Sequence, residues 1–332
     1  MSTTVEEPIA VPAQPALLMR SFGWSMLATL AAFLLNNWLT AGREWPGIAP
    51  LFGGGEKTGL SWLQLLIYAL GIVIAVVMVF RTRERSLRSD SALITRLCAY
   101  LARAAFFAVL FVGLGDFIIS ALRVENALGG LVSEHIISEL GRAHFRGPYV
   151  HLPLMLLGAV VALFTRSLGF IWLALLVVLA ELGIVIMRFI FSYEQAYMGD
   201  LVRFWHAALF LFASAYTLLE EGHVRVDVLY ASFTSRTKAF FNMWGSLLMG
   251  ITVCWTIIII GMNNKAAIIN SPMLNYEISQ SAFGLYVKYL MAGQLGVFAI
   301  LMLVQFVAYL LESVADYRNE AGGRPPPAAP AH

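Results

Sequence analysis

The sequence predicts an all-α, polytopic membrane protein, and three observations carry that reading. Of 332 residues, 59% are hydrophobic and 13% charged, about half the charged share of a soluble globule. Mean hydropathy is +0.76. The apolar residues also gather into runs of the roughly 20-residue length that crosses the hydrocarbon as a helix. These runs fall at about 22–41, 60–80, 97–122, 149–165, 168–191, 204–219, 238–262 and 284–311, so about eight transmembrane helices are expected.

In chain order, residues 1–19 mix Pro8, Pro12 and Pro15 with alanines and two glutamates and lack a basic n-region, so they read as a disordered cytoplasmic tail. Residues 20–167 hold the first four runs. The fourth is short, contains Pro153 and is separated from the fifth by only Thr165-Arg166-Ser167, which leaves a re-entrant or tilted helix as the alternative there. Residues 168–316 hold the last four runs, and 317–332, with Pro325-Pro326-Pro327, is a second tail that cannot bury a core. Two connections are long enough for amphipathic surface helices: Val124–Pro148, with Glu134, Glu139 and Arg142 at helical spacing, and Tyr193–Arg203.

Orientation follows from the basic residues of the loops. The second connection carries Arg81, Arg83, Arg85, Arg88 and Arg96, and the sixth carries Arg225, Arg236 and Lys238. Both are therefore expected in the cytoplasm, and eight spans then place both termini there, with Arg20 and Arg318 on the same side.

Several function classes drop out. No basic stripe interleaved with aromatics exists outside the membrane-flanking loops, which argues against nucleic acid as a partner. Cys98 and Cys254 stand alone in or beside apolar runs, without disulfide or zinc spacing. Serine-nucleophile, phosphate-loop, paired-carboxylate and metal-ligand patterns are missing, so neither an enzyme nor a bound cofactor or metal is expected. No inverted repeat with Gly- or Pro-broken helices is evident, which counts against a complete secondary transporter.

Ionisable residues inside spans are costly and usually face a partner or a wet cavity. Glu181 lies well inside the fifth run, with Arg188 seven residues on at nearly the same helix angle. It could belong to an ion or proton path, although helix-to-helix hydrogen bonding is the simpler reading. Arg103 and Asp116 are expected to snorkel or pair near their own interfaces. Histidines at one depth could hold haem. His206 and His223 bracket one helix at opposite membrane faces, and His151 and His206 read most simply as interfacial polar residues. Ala292, Gly293 and Gly296 form a small-residue stripe that would let another helix approach.

The most concentrated polar segment is Leu218–Tyr230, Leu-Leu-Glu-Glu-Gly-His-Val-Arg-Val-Asp-Val-Leu-Tyr. Gly222 suits a helix C-terminus. Beyond it His223, Arg225 and Asp227 alternate with valines, as an extended segment with one packed face would, and Asp227 is placed to cap a following helix. Gly-His-Val-Arg-Val-Asp-Val between two membrane helices resembles the signature loop of the small membrane (DctQ-type) subunit of tripartite ATP-independent periplasmic (TRAP) transporters. Val185-Ile186-Met187-Arg188-Phe189-Ile190-Phe191 is similar to the arginine-aromatic run ending that family's first helix. Gly199-Asp200-Leu201-Val202-Arg203 stands where the family has an acidic pair, a leucine and an arginine. Ser271-Pro272-Met273 resembles the proline-containing loop between its third and fourth helices. The likeness spans about Leu168 to Asp316.

The resemblance implies a four-helix small permease subunit preceded by four additional spans. It implies a multi-pass protein of the bacterial cytoplasmic membrane that scaffolds a large permease subunit. That partner carries the substrate and sodium sites, and an extracytoplasmic solute-binding protein delivers a small solute, often an organic acid. By resemblance, Arg188, Asp200, Arg203, Gly222, His223, Arg225, Asp227 and Pro272 are positions for structure and subunit contact. The alternative is a haem- or quinone-binding membrane anchor of a respiratory enzyme, which would require two histidines facing each other at one depth. A stand-alone channel is a third possibility.

Overall fold

The computed structural model describes residues 15–53, 55, 56, 58–166, 170–193, 196–219, 230, 232–279 and 284–322. The long helices are α1 (Leu17–Gly42), α2 (Gly59–Arg81), α3 (Leu87–Val124), α4 (Ala143–Phe164), α5 (Phe170–Ile190), α6 (Ala196–Leu219), α7 (Ser235–Met262) and α8 (Lys288–Tyr317). Seven of them, α6 aside, are long and apolar enough to cross a membrane. α6 is a 24-residue helix over the sixth expected span, with Asp200, Arg203 and His206 in its first half. No strand occurs among the described residues. This is the expected outcome of an apolar solvent, in which a spanning segment must satisfy its own backbone polar groups.

Local chemistry sets the helix starts. Thr58, Ser86 and Thr234 cap α2, α3 and α7, each side-chain oxygen accepting from the backbone N–H three residues on, at 3.3, 3.1 and 3.3 Å. α3 starts ten residues before its expected apolar run, because that cap begins a helix whose first turns carry Arg88 and Asp90. α4 is a continuous 22-residue helix, long enough to span; a π-helical turn, Gly147–His151, absorbs Pro148 near its start. Similar turns lie at Trp38–Gly42 in α1 and Ser246–Ile251 in α7.

Neither expected surface helix forms as such. Residues 124–148 hold only short turns of helix, Ala127–Gly130, Glu134–Glu139 and Ala143–Arg146. Asn126 in the left-handed region (φ 53°) breaks the first register. Residues 196–203 are instead the opening turns of α6.

α8 is the axis of the bundle. In its apolar window 61% of residues are buried within the chain, against 17% in α2 and 11% in α5. α8 touches α1, α3, α6 and α7, and α3 also packs on α4 and α6. α2 rests on α1 and α5 on α6, at the periphery. A single apolar core therefore includes Leu30 of α1, Ile94 and Phe106 of α3, Leu201 and Phe212 of α6, Ile258 of α7 and Leu303 and Leu310 of α8. Helices α1 and α3 share it with the last four, α4 packs against it through Leu154 and Met155, and α2 stands outside it.

The tightest approach is between α3 and α4. A Cβ on Gly158 would lie 2.6 Å from the backbone nitrogen of Ala108 and 2.8 Å from the carbonyl carbon of Phe107. Only a residue without a side chain lets these backbones meet. Gly158→Ala is expected to destabilise the protein by about 1–3 kcal/mol through overpacking. Gly245→Ala, where a Cβ meets nothing within 4 Å, should be close to neutral, and melting of the detergent-solubilised protein followed by fluorescence-detected gel filtration compares the two.

Candidate functional site

The densest polar assembly lies where α3, α4 and the start of α8 converge. Asp116, Arg146 and His151 are each wholly buried. Asp116 Oδ1 accepts from Arg146 Nη1 at 2.6 Å and from His151 Nε2 at 3.0 Å, while its Oδ2 accepts from the backbone N–H of Tyr286 at 2.7 Å. On the far side of the imidazole, His151 Nδ1 lies 2.8 Å from the Tyr289 hydroxyl. With the proton on Nε2, the ring donates to the carboxylate and accepts from the tyrosine, which satisfies all three groups.

Arg146 is held equally closely. Its Nε donates to the Leu140 carbonyl at 2.6 Å, Nη1 also donates to Ser120 Oγ at 3.0 Å, and the guanidinium stacks 4.2 Å from the centre of the Tyr286 ring. The Tyr286 hydroxyl donates to the Gly141 carbonyl at 2.9 Å. The π-helical turn of α4 makes this arrangement possible, since it carries His151 at its end and follows directly on Arg146. The partners named are all internal, so the cluster ties the helices together as a lock, while Arg146 Nη2 is buried without a hydrogen-bond partner.

A second carboxylate serves the same stretch of chain. Asp200 of α6 accepts from the backbone N–H of Leu285 at 3.1 Å and from Ser279 Oγ at 3.0 Å. Adjacent backbone N–H groups just before α8 are thus taken by acids from two different helices, at the end of α8 where its dipole favours negative charge.

Other polar contacts tie the rest of the bundle. Arg88 of α3 donates to Glu312 at 2.6 Å, to Asp316 at 2.8 Å and to the carbonyls of Glu320 and Ala321 at 2.8 and 3.1 Å. Arg20 of α1, fully buried, donates to Asp90 at 2.7 Å and to the carbonyl of Thr82 at 2.7 Å, and the Trp24 indole shares the same Asp90 oxygen at 3.0 Å. Asn37 and Asn270 exchange amide hydrogen bonds of 3.0 and 2.9 Å. Outside the spans, Lys265 donates to Glu44 at 2.7 Å, a hydrogen bond that holds the Glu44 carboxyl below its usual range. A mostly apolar cavity of about 670 Å³ lies beside the lock, bordered by Trp38, Met155, Met273, Tyr276 and Tyr289.

Comparison with known proteins assigns the second half of the chain. Residues 175–316 match the family described as tripartite ATP-independent periplasmic transporters, DctQ component. That region is similar to the DctQ component. No curated protein and no solved structure matches the chain. The matched residues run from within α5 almost to the end of α8, so the DctQ region comprises the last four helices, and α1–α4 are additional apolar helices before it.

The residues singled out from the sequence distribute unevenly over this frame. Asp200 is part of the polar framework of the DctQ region, and Arg203, largely exposed, sits 3.6 Å from it. Pro272 lies in the short helix Asn270–Asn275, its carbonyl accepting from Glu277 N–H at 3.0 Å. Arg188 is exposed near the end of α5 and Glu181 is exposed at its middle. Gly222, His223, Arg225 and Asp227 lie outside the described residues. The stripe at Gly293 and Gly296 is filled from within the chain, by Met273 and by Met262 and Ile269.

The buried polar residues refine the expectations, and for His151 correct them. His151 is no interfacial residue: it is wholly enclosed, with both ring nitrogens engaged, while His206 is exposed on α6, so the two do not face one haem. Of the two outcomes expected for Asp116 it pairs, with Arg146 and the Tyr286 N–H reaching it inside the bundle. Arg103 is half-buried, and its Nε is enclosed without a hydrogen-bond partner. Sequence reasoning missed Arg146 as a partner. The available signal was an acid near the end of the third run and a base at the start of the fourth, which a hairpin brings to one depth.

Removing one member of a buried ion pair strands the other, at a cost of about 3–5 kcal/mol. Asp116→Asn should accordingly lower the melting temperature sharply, and Asp116→Leu combined with Arg146→Met should recover much of the loss. A double-mutant cycle on the detergent-solubilised protein measures the coupling directly.

Proposed function

We propose that this chain is the small permease subunit of a TRAP-type secondary transporter, and that it scaffolds a large permease subunit for ion-coupled uptake of a small solute such as an organic acid. The observation that carries the reading is the match of residues 175–316 to the DctQ component. The described interior supports it, because the carboxylate at the lock and the acids at the end of α8 are engaged by groups of the same chain, as suits a rigid scaffold. On this reading the substrate and coupling-ion sites are on the large subunit, and an extracytoplasmic solute-binding protein feeds it.

The start of α1, the turn between α2 and α3 and the end of α8 share one end of the bundle, since Arg20 reaches Thr82 and Arg88 reaches Ala321. The arginine-dense 81–96 connection supports a cytoplasmic position for that end, and so for both termini, in a bacterial inner membrane. Arg188, exposed near the end of α5, and the Gly222–Asp227 loop are the proposed contact positions. Asp200 and Pro272 support them from within.

Purification of the full chain from its native membrane in mild detergent should bring with it a large polytopic permease, identified by mass spectrometry, and the same sample should show no haem band. Recovery of soluble redox subunits with a haem absorbance would overturn the reading. Arg188→Glu is expected to reduce recovery of the assembled complex while leaving the amount of inserted chain unchanged.

A further inference from the structure

Glu181 is in the wrong place for a helix that faces only lipid. It is the twelfth residue of α5, so at 1.5 Å per residue it lies roughly 16 Å from one end and 13 Å from the other, close to the middle of a hydrocarbon layer about 30 Å thick. Leu173 and Val177 bury the inner face of α5 against α6, whereas Glu181 is exposed together with Val178, Leu182 and Val185. Among the described residues it makes no hydrogen bond or ion pair. A carboxylate at that depth is expensive unless something supplies a donor.

The chain provides its own control. α2 is nearly as exposed as α5 and rests on a single neighbour, as α5 does. Yet α2 has no acidic residue along Gly59–Arg81 and ends on Arg81, where a cation can reach water. Its one internal amide, Gln64, is turned inward and accepts from the Gly47 N–H while donating to Thr40. That is the composition this protein uses against lipid, and α5 departs from it at one mid-depth position. His206 on α6 is also exposed, about 15 Å along its helix, and it too has no hydrogen bond or ion pair among the described residues.

We infer that the outer face of α5 around Glu181 is a docking surface for a transmembrane helix of another subunit that carries an arginine or lysine near the bilayer centre. Charge complementarity selects the occupant: an anion fixed in an apolar stripe is neutralised by a cation delivered on a matching apolar helix, while lipid tails can offer nothing. Val178, Leu182 and Val185 supply the apolar contact around the pair. The assignment rests on the reading of the chain as a subunit, and it names the face and the chemistry of its partner.

The test uses the full chain co-expressed with the large permease subunit. A photoactivatable amino acid is placed at Val178 or Val185, and at Ile74 on α2 as the control. Cross-links from positions 178 and 185 to a transmembrane segment of the permease, with none from 74, are expected. Glu181→Arg should lower co-purification by at least about tenfold at equal membrane abundance, and Glu181→Asp should restore most of it. Cross-links only to lipid or to a second copy of this chain, with Glu181→Leu and Glu181→Arg co-purifying normally, would overturn the docking face and leave the subunit reading standing. Failure of the wild-type chain to recover any permease would overturn the subunit reading, and this assignment with it.

Discussion

A carboxylate withdrawn from water has to be given its donors by the fold, and Asp116 draws three from two separate stretches of chain. Arg146 and His151 come from the fourth helix and Tyr286 N–H from the segment leading into the last one. None of these partners could be removed without leaving charge or a buried polar group unsatisfied, so each constrains where the others are. In a bilayer, where water is not available to relieve a mismatch, that requirement fixes helix positions more firmly than apolar contact alone.

The same logic operates at the other end of the bundle. Arg88 closes α3 onto the end of α8 through two carboxylates and two carbonyls, and between the two clasps Ser91 Oγ and Cys98 Sγ donate to α8 carbonyls at 2.9 and 3.4 Å. Helices α3 and α8 are thus joined polar end to polar end, with an apolar seam between. The additional helices are not an appendage to the DctQ region; α1 and α3 bury residues in the same core. Two helices, α2 and α5, remain on the outside, and only α5 carries an acidic residue at mid-depth.

Much of this architecture was legible in the sequence. Hydropathy placed the spans because a helix in lipid must be apolar over a fixed length, and the resemblance of Val185–Phe191, Gly199–Arg203 and Ser271–Met273 pointed to the family that the comparison then returned. What was not legible is pairing. Asp116 and Arg146 looked like two isolated charges near interfaces, because nothing local says that α3 and α4 meet as a hairpin at Gly158. Arg20 read only as a topology marker, yet it is fully buried against Asp90. His151 looked interfacial because Pro148 and Pro153 disguised the beginning of α4, and the π-helical turn that accommodates Pro148 has no clear periodic signature.

The central place of α8 bears on how the protein is made. Asp116 waits for a donor 170 residues further along the chain, and Arg88 for acceptors more than 220 residues away. At synthesis rates of about 5–20 residues per second, the interval between the appearance of Asp116 and that of Tyr286 is roughly 10–30 s. During it α3 has α4 and then α6 to pack on but not α8, and the bundle acquires its axis only when the last helix has left the ribosome.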